Sequence, residues 1–166
     1  MLTNGNPSPR RAGWRRLVLP ALLTALCTLN GCALLGMKGE RVNWRETTLI
    51  ATADVNHNSP LAVDVVMISD QATLDKLIAL QASQWFAQRD DLAATYPTTL
   101  RYRSWEVVPG ETLNIDRRTF AGPRVAGVLV FANYAAPGAH RQRIDTFKGR
   151  LVITMKTDGY TLETLP

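Results

Sequence analysis

Few residues in this chain are equipped for chemistry. His57 and His140 are its two histidines, each in a polar, turn-like stretch without a partner at a motif spacing. No G-x-S-x-G, H-E-x-x-H or C-x-x-C pattern occurs, so nucleophile elbow, zinc helix and redox pair are all missing. Asp54-Val55-Asn56-His57-Asn58 copies the D-x-N-x-N opening of a calcium loop. The sixth position is then Ser59 where glycine is needed, and the twelfth is Val65 where a bidentate glutamate is needed. The stretch therefore reads as a polar turn closed by Pro60. Arg101 and Arg103 share one strand face, as do Arg141 and Arg143 if that stretch is extended, and such pairs are ordinarily solvated. No residue is assigned a catalytic role, no metal or cofactor is expected, and the chain does not read as an enzyme.

The elements that must carry these residues fit in one domain. The chain has 166 residues and 46% apolar content, enough to bury a core. Its net charge of +5 is unevenly placed: Arg10, Arg11, Arg15 and Arg16 precede Cys32 with no acidic residue among them. Without that stretch 15 cations face 14 anions, which removes the main support for a nucleic-acid partner.

Residues 1–31 read as an export signal. A basic segment ends at Arg15-Arg16, an apolar run spans Leu17 to Leu29, and small or polar residues precede a cysteine. Thirteen residues at about 1.5 Å rise are too short for a membrane-spanning helix. Leu29-Asn30-Gly31-Cys32 resembles the lipobox of bacterial lipoproteins, with Asn30 where Ala or Ser is more usual. In that family cleavage falls just before the cysteine, which becomes acylated. Cys32 is then the one cysteine left, and lipidation accounts for a thiol that no internal disulfide could use. Ala33 stands where an inner-membrane retention signal would place Asp, so the resemblance implies the outer membrane. Residues 32–41 read as a tether and 42–166 as the folded domain.

Alternating apolar residues predict that this domain is mostly strands. Thr47 to Val55 is one. Leu61, Val63, Val65 and Met67 share a face of the next, with Asp64 marking the opposite face as partly wet. Val107-Val108 leads through Pro109-Gly110 to Leu113 and Ile115, and Val125 to Tyr134 reads as a central strand covered on both faces. Asp158-Gly159 joins Leu151–Lys156 to Tyr160–Leu162 as a hairpin. Six or seven such strands predict a β-sandwich. Leu74, Leu77, Ile78, Gln81 and Trp85 instead follow helical spacing, predicting one amphipathic helix over 71–88, N-capped by Asp70, with Trp85-Phe86 packed on the sandwich.

This order of elements, with Asn56…Ser59-Pro60-Leu61-Ala62-Val63, Val108-Pro109-Gly110-Glu111 and the apolar strand through Gly127 to Tyr134, resembles TssJ, the outer-membrane lipoprotein family of the bacterial type VI secretion system. The stretch 87–104, with Arg89-Asp90-Asp91, is longer and more polar than that pattern. The resemblance implies a transthyretin-like β-sandwich with extra helical structure. It also implies a periplasm-facing subunit, held to the outer membrane by Cys32, that binds the periplasmic domain of the inner-membrane subunit TssM. On the same basis the loop Asn56, His57, Asn58, Ser59 and Pro60 contributes to that contact, with 136–143 the next candidate. Two other classes stay open: a pilotin or assembly lipoprotein of a different secretion machine, and a periplasmic ligand-binding lipoprotein.

Overall fold

A computed structural model describes the chain from Gly39 to Pro166. The export signal, Cys32 and most of the expected tether lie outside the described residues. By compactness the chain divides between Met37 and Lys38. The end of the expected tether already belongs to the folded unit: the Glu40 backbone bridges Val125, with N···O distances of 3.0 and 2.8 Å. Gly39 permits that approach, since a Cβ there would lie 2.5 Å from the Val125 carbonyl oxygen.

Eight strands form, against the six or seven expected: β1 (Asn43–Ala51), β2 (Leu61–Ile68), β3 (Leu100–Val107), β4 (Thr112–Ile115), β5 (Gly127–Ala132), β6 (Arg141–Ile144), β7 (Lys148–Met155) and β8 (Tyr160–Leu165). They make two four-stranded sheets in the orders β4-β1-β7-β8 and β3-β2-β5-β6. β1 and β7 pair in parallel; every other pair is antiparallel. The main core lies between the sheets, where Leu61, Val63, Val65 and Met67 of β2 meet Leu49, Leu151 and Ile153. β5 is buried along its whole length, as its unbroken apolar run requires of an inner strand.

The helical insertion is two helices, not one. α1 (Gln71–Leu77) and α2 (Ala82–Thr95) are separated by a turn in which Ala79 and Leu80 bond back to Lys76 and Leu77. Nothing in Ile78-Ala79-Leu80-Gln81 breaks a helix by itself; contacts from the β5–β6 side fix the break. The Arg141 guanidinium donates to the Leu80 carbonyl at 2.8 Å, and the Ala82 N–H donates to the Ala139 carbonyl at 2.8 Å. The Gln84 side chain then accepts from the Gln81 N–H and starts α2. Asp70 caps α1 as expected, accepting from the Thr73 N–H at 2.9 Å.

These helices cover the outer face of β3-β2-β5-β6 and create a second core. Val66, Ile68, Leu129 and Phe131 lie under Leu74, Leu77 and Trp85, and the Trp85 ring stacks on Phe131 at 5.0 Å. The expectation that Asp64 marks a wet face is corrected: Asp64 is fully buried beneath α2. It is satisfied there by the Trp85 Nε1–H at 2.8 Å and the Arg89 guanidinium at 2.9 Å. A buried carboxylate on a strand is indistinguishable by periodicity from a solvated one; its partners come from another element. The polar stretch after residue 87 is thus the far half of α2 and the start of β3, with Arg89 as that partner.

Candidate functional site

All four loops at one end of the sandwich belong to connected strand pairs: 52–60 (β1–β2), 108–111 (β3–β4), 133–140 (β5–β6) and 156–159 (β7–β8). The chain enters the folded unit at the opposite end, beside 116–126 and 145–147, which we call the base. The length of β1 separates the two.

The β1–β2 loop is tightly built. Val55–His57 forms one 3₁₀ turn, with Val55 fully buried as its apolar anchor. Asn56, His57 and Asn58 all have positive φ (44°, 55° and 62°). Left-handed backbone is unfavourable for most side chains, but Asn and His are enriched there, which accounts for this run of residue types. Asn56 is the keystone, only 6% exposed. Its Nδ2 donates to the Pro60 carbonyl at 3.0 Å, closing its own loop. Its Oδ1 accepts the Ala135 N–H at 2.9 Å, binding the β5–β6 loop alongside.

The β7–β8 hairpin completes the cluster. His57 Nε2 lies 2.8 Å from Asp158 Oδ1, an ion pair when the imidazole is protonated, and both side chains remain more than 60% exposed. The Asp54 carboxylate accepts from the Thr157 hydroxyl, which holds its pKa below the ordinary value. Tyr134, buried under the same loops, donates to the Gly159 carbonyl at 2.6 Å and accepts the Lys156 N–H at 3.3 Å. Burial pushes its pKa up to about 12. The His140 ring packs on Tyr134 at 4.7 Å, and its Nε2 is 2.8 Å from the Ala136 carbonyl oxygen, so that ring is a packing element. Gly110 joins from the fourth loop through its N–H to Thr52.

The five residues singled out in the sequence therefore divide by role. Asn56 faces inward and cannot touch a partner. His57, Asn58, Ser59 and Pro60 are exposed and form the surface it holds. Sequence reasoning missed Asp158 beside His57; the Asp-Gly pair signals a turn but not which loop it meets. Among the described residues no three His, Cys, Asp or Glu side chains converge as a metal site would require. What the arrangement offers is a rigid polar surface whose backbone is already ordered, which lowers the entropic cost of docking a protein.

No family model matches the chain, and a search of curated proteins gives no match. Solved structures do resemble it. The type VI secretion lipoprotein TssJ1 from Pseudomonas aeruginosa superposes with a TM-score of 0.58 at 18% identity, over 73% of this chain and 95% of that one. Serratia marcescens Lip, a membrane-bound component of the type VI secretion system, gives 0.52 at 12% identity, over 73% and 96%. A chain in a structure of the TssM C-terminal domain from EAEC gives 0.51 at 15% identity, over 71% and 98%. The fold is thus the transthyretin-like β-sandwich of the TssJ lipoproteins.

Proposed function

We propose that the chain is a divergent TssJ-type lipoprotein: a non-catalytic subunit that Cys32 anchors in the outer membrane and whose loop end binds the periplasmic domain of a TssM-like inner-membrane subunit. The observation that carries this reading is the pre-ordered surface His57–Pro60, pinned by Asn56 at the end of a TssJ-like sandwich remote from the chain's entry. An anchor that leads to the base leaves the loop end free to face the periplasm, where a partner spanning from the inner membrane must be met. The lipobox-like Leu29–Cys32 and the TssJ-like fold support this reading.

The test replaces His57 and Asn58 by Ala together while keeping Asn56 and Pro60, so that the loop's internal bonds survive. With circular dichroism unchanged, affinity for the periplasmic domain of the TssM-like subunit from the same organism should fall about tenfold, equivalent to about 1.4 kcal/mol. Undiminished binding by the folded double variant would remove this loop from the interface and shift attention to 136–143.

A further inference from the structure

We propose that the base of the sandwich is itself a membrane-contacting surface, which binds the phosphates of anionic lipid headgroups and sets the orientation of the domain. Two shallow hollows adjoin there. Arg45 and Lys148 line one, and Arg41, Arg124 and Lys148 line the other. Arg117, Arg118 and Arg150 are exposed around them. Arg101 and Arg143 reach the same end, Arg101 through a bond to the Ala121 carbonyl.

The carboxylates at this end are fewer and largely engaged. Glu40 is 3.2 Å from Lys148, Asp145 is 2.7 Å from Arg143, and Asp116 caps the Arg118 N–H at 2.7 Å. Asp70, at the base end of β2, accepts the Thr73 N–H at 2.9 Å, and Glu46 lies on β1 near the same end. Arg41 and Arg45 have no hydrogen-bond or ion-pair partner among the described residues. At the loop end the balance is reversed: Asp54, Glu106, Glu111 and Asp158 face Lys156 and Arg141, beside His57 and His140, and the Arg141 guanidinium is engaged by the Leu80 carbonyl. The sandwich is therefore polarised along its strands, positive where the chain enters and negative where the loops gather.

Membrane lipid is the occupant that fits, an argument that rests on the reading of Cys32 as the lipidated residue. Only six residues separate Cys32 from Gly39, seven Cα steps with a reach of at most about 25 Å. Surface charge acts over about 8 Å at physiological salt, so such a tether lets the base settle on the bilayer or swing clear of it. Clustered Arg and Lys beside an anionic bilayer favour the settled arrangement. In that arrangement the acidic loop end points away from the membrane.

The test uses the processed full-length lipoprotein in vesicles. Its acylated Cys32 leaves no free thiol, so a cysteine placed by Thr146→Cys (base) or Ser59→Cys (loop end) takes a fluorophore uniquely. Quenching by a headgroup-labelled lipid is compared in phosphatidylcholine vesicles and in vesicles with about one third phosphatidylglycerol, an anionic surface comparable to those that attract basic segments. The base probe should be quenched about threefold more on the anionic vesicles, and about 1 M salt, with a screening length near 3 Å, should abolish the difference. Arg41→Gln with Arg45→Gln should abolish it too, Lys156→Gln should not, and the loop-end probe should stay unquenched throughout. Equal quenching of the base probe on both vesicle types, or indifference to the Arg substitutions, overturns the proposal. Mass spectrometry of the same preparation reads acylation of Cys32 separately. If acyl chains are absent, the anchor reading fails on its own. Co-sedimentation of that preparation then reads the surface directly: binding to anionic vesicles alone supports it, and binding to both or neither overturns it.

Discussion

Asn56 lets the loop architecture be tested apart from any partner. Asn56→Ala removes two hydrogen bonds, to the Pro60 carbonyl and from the Ala135 N–H, and places a poorly suited residue at φ 44°. Each bond contributes about 1 kcal/mol net, and Ala135 is exposed, so water can replace part of the second. Left-handed backbone adds about 1 kcal/mol for a residue that cannot satisfy itself locally. The expected loss is about 2–3 kcal/mol, or a fall of roughly 6–12 °C in Tm for a domain of this size. Asn56→Gly relieves the backbone and should recover about 1 kcal/mol of that loss. Asn56→Asp keeps the acceptor for Ala135 but loses the donor to Pro60, and should fall between wild type and Ala. Thermal and urea melts of the series read all three. A melt of Asn56→Ala within about 1 °C of wild type, or Gly no better than Ala, would refute the keystone role, because the strain and both bonds would then carry no measurable energy.

Other consequences are as direct. Arg89→Ala strands the fully buried Asp64 carboxylate with only Trp85 as donor, and should cost about 3 kcal/mol in a urea melt, whereas replacing both partners with apolar residues (Asp64→Leu with Arg89→Met) should cost distinctly less. The Tyr134 pKa is raised by burial from 10.0 to about 12, so the native state holds its proton where the unfolded chain has lost it. Its contribution is intact below pH 10 and is lost as pH rises through about 12; the stability read from urea melts should fall by roughly 2 kcal/mol over that window in wild type and by less in Tyr134→Phe. Cys32→Ser should abolish fatty-acid labelling, since a hydroxyl does not replace the thiol in acyl transfer, and Ala33→Asp should shift the labelled protein toward the inner membrane on a density gradient.

Strand identity was legible wherever burial on one face imposed a period of two, as in Leu61–Met67, or burial on both gave an unbroken run, as in Val128–Ala132. The Asp158-Gly159 hairpin and the Asp70 cap were legible because their signals are local. Three features were not, and each depends on a distant element. The break between α1 and α2 is fixed by Arg141 and Ala139, some 60 residues away. The burial of Asp64 depends on α2 lying across β2, and β6 is short and polar, identifiable only by its pairing with β5. The Asn56–Pro60 loop was visible as a polar turn, but its inward and outward residues could be separated only once Ala135 and Asp158 stood beside it.

The most direct measurement of the central claim is photo-crosslinking in intact cells from a probe placed at Asn58 on the loop end, with a second at Arg118 on the base, followed by mass spectrometry of the captured protein. The account predicts that the loop-end probe captures the periplasmic domain of a TssM-like subunit and that the base probe does not. Capture of that subunit from the base alone, or of a subunit of a different secretion machine from the loop end, would contradict it.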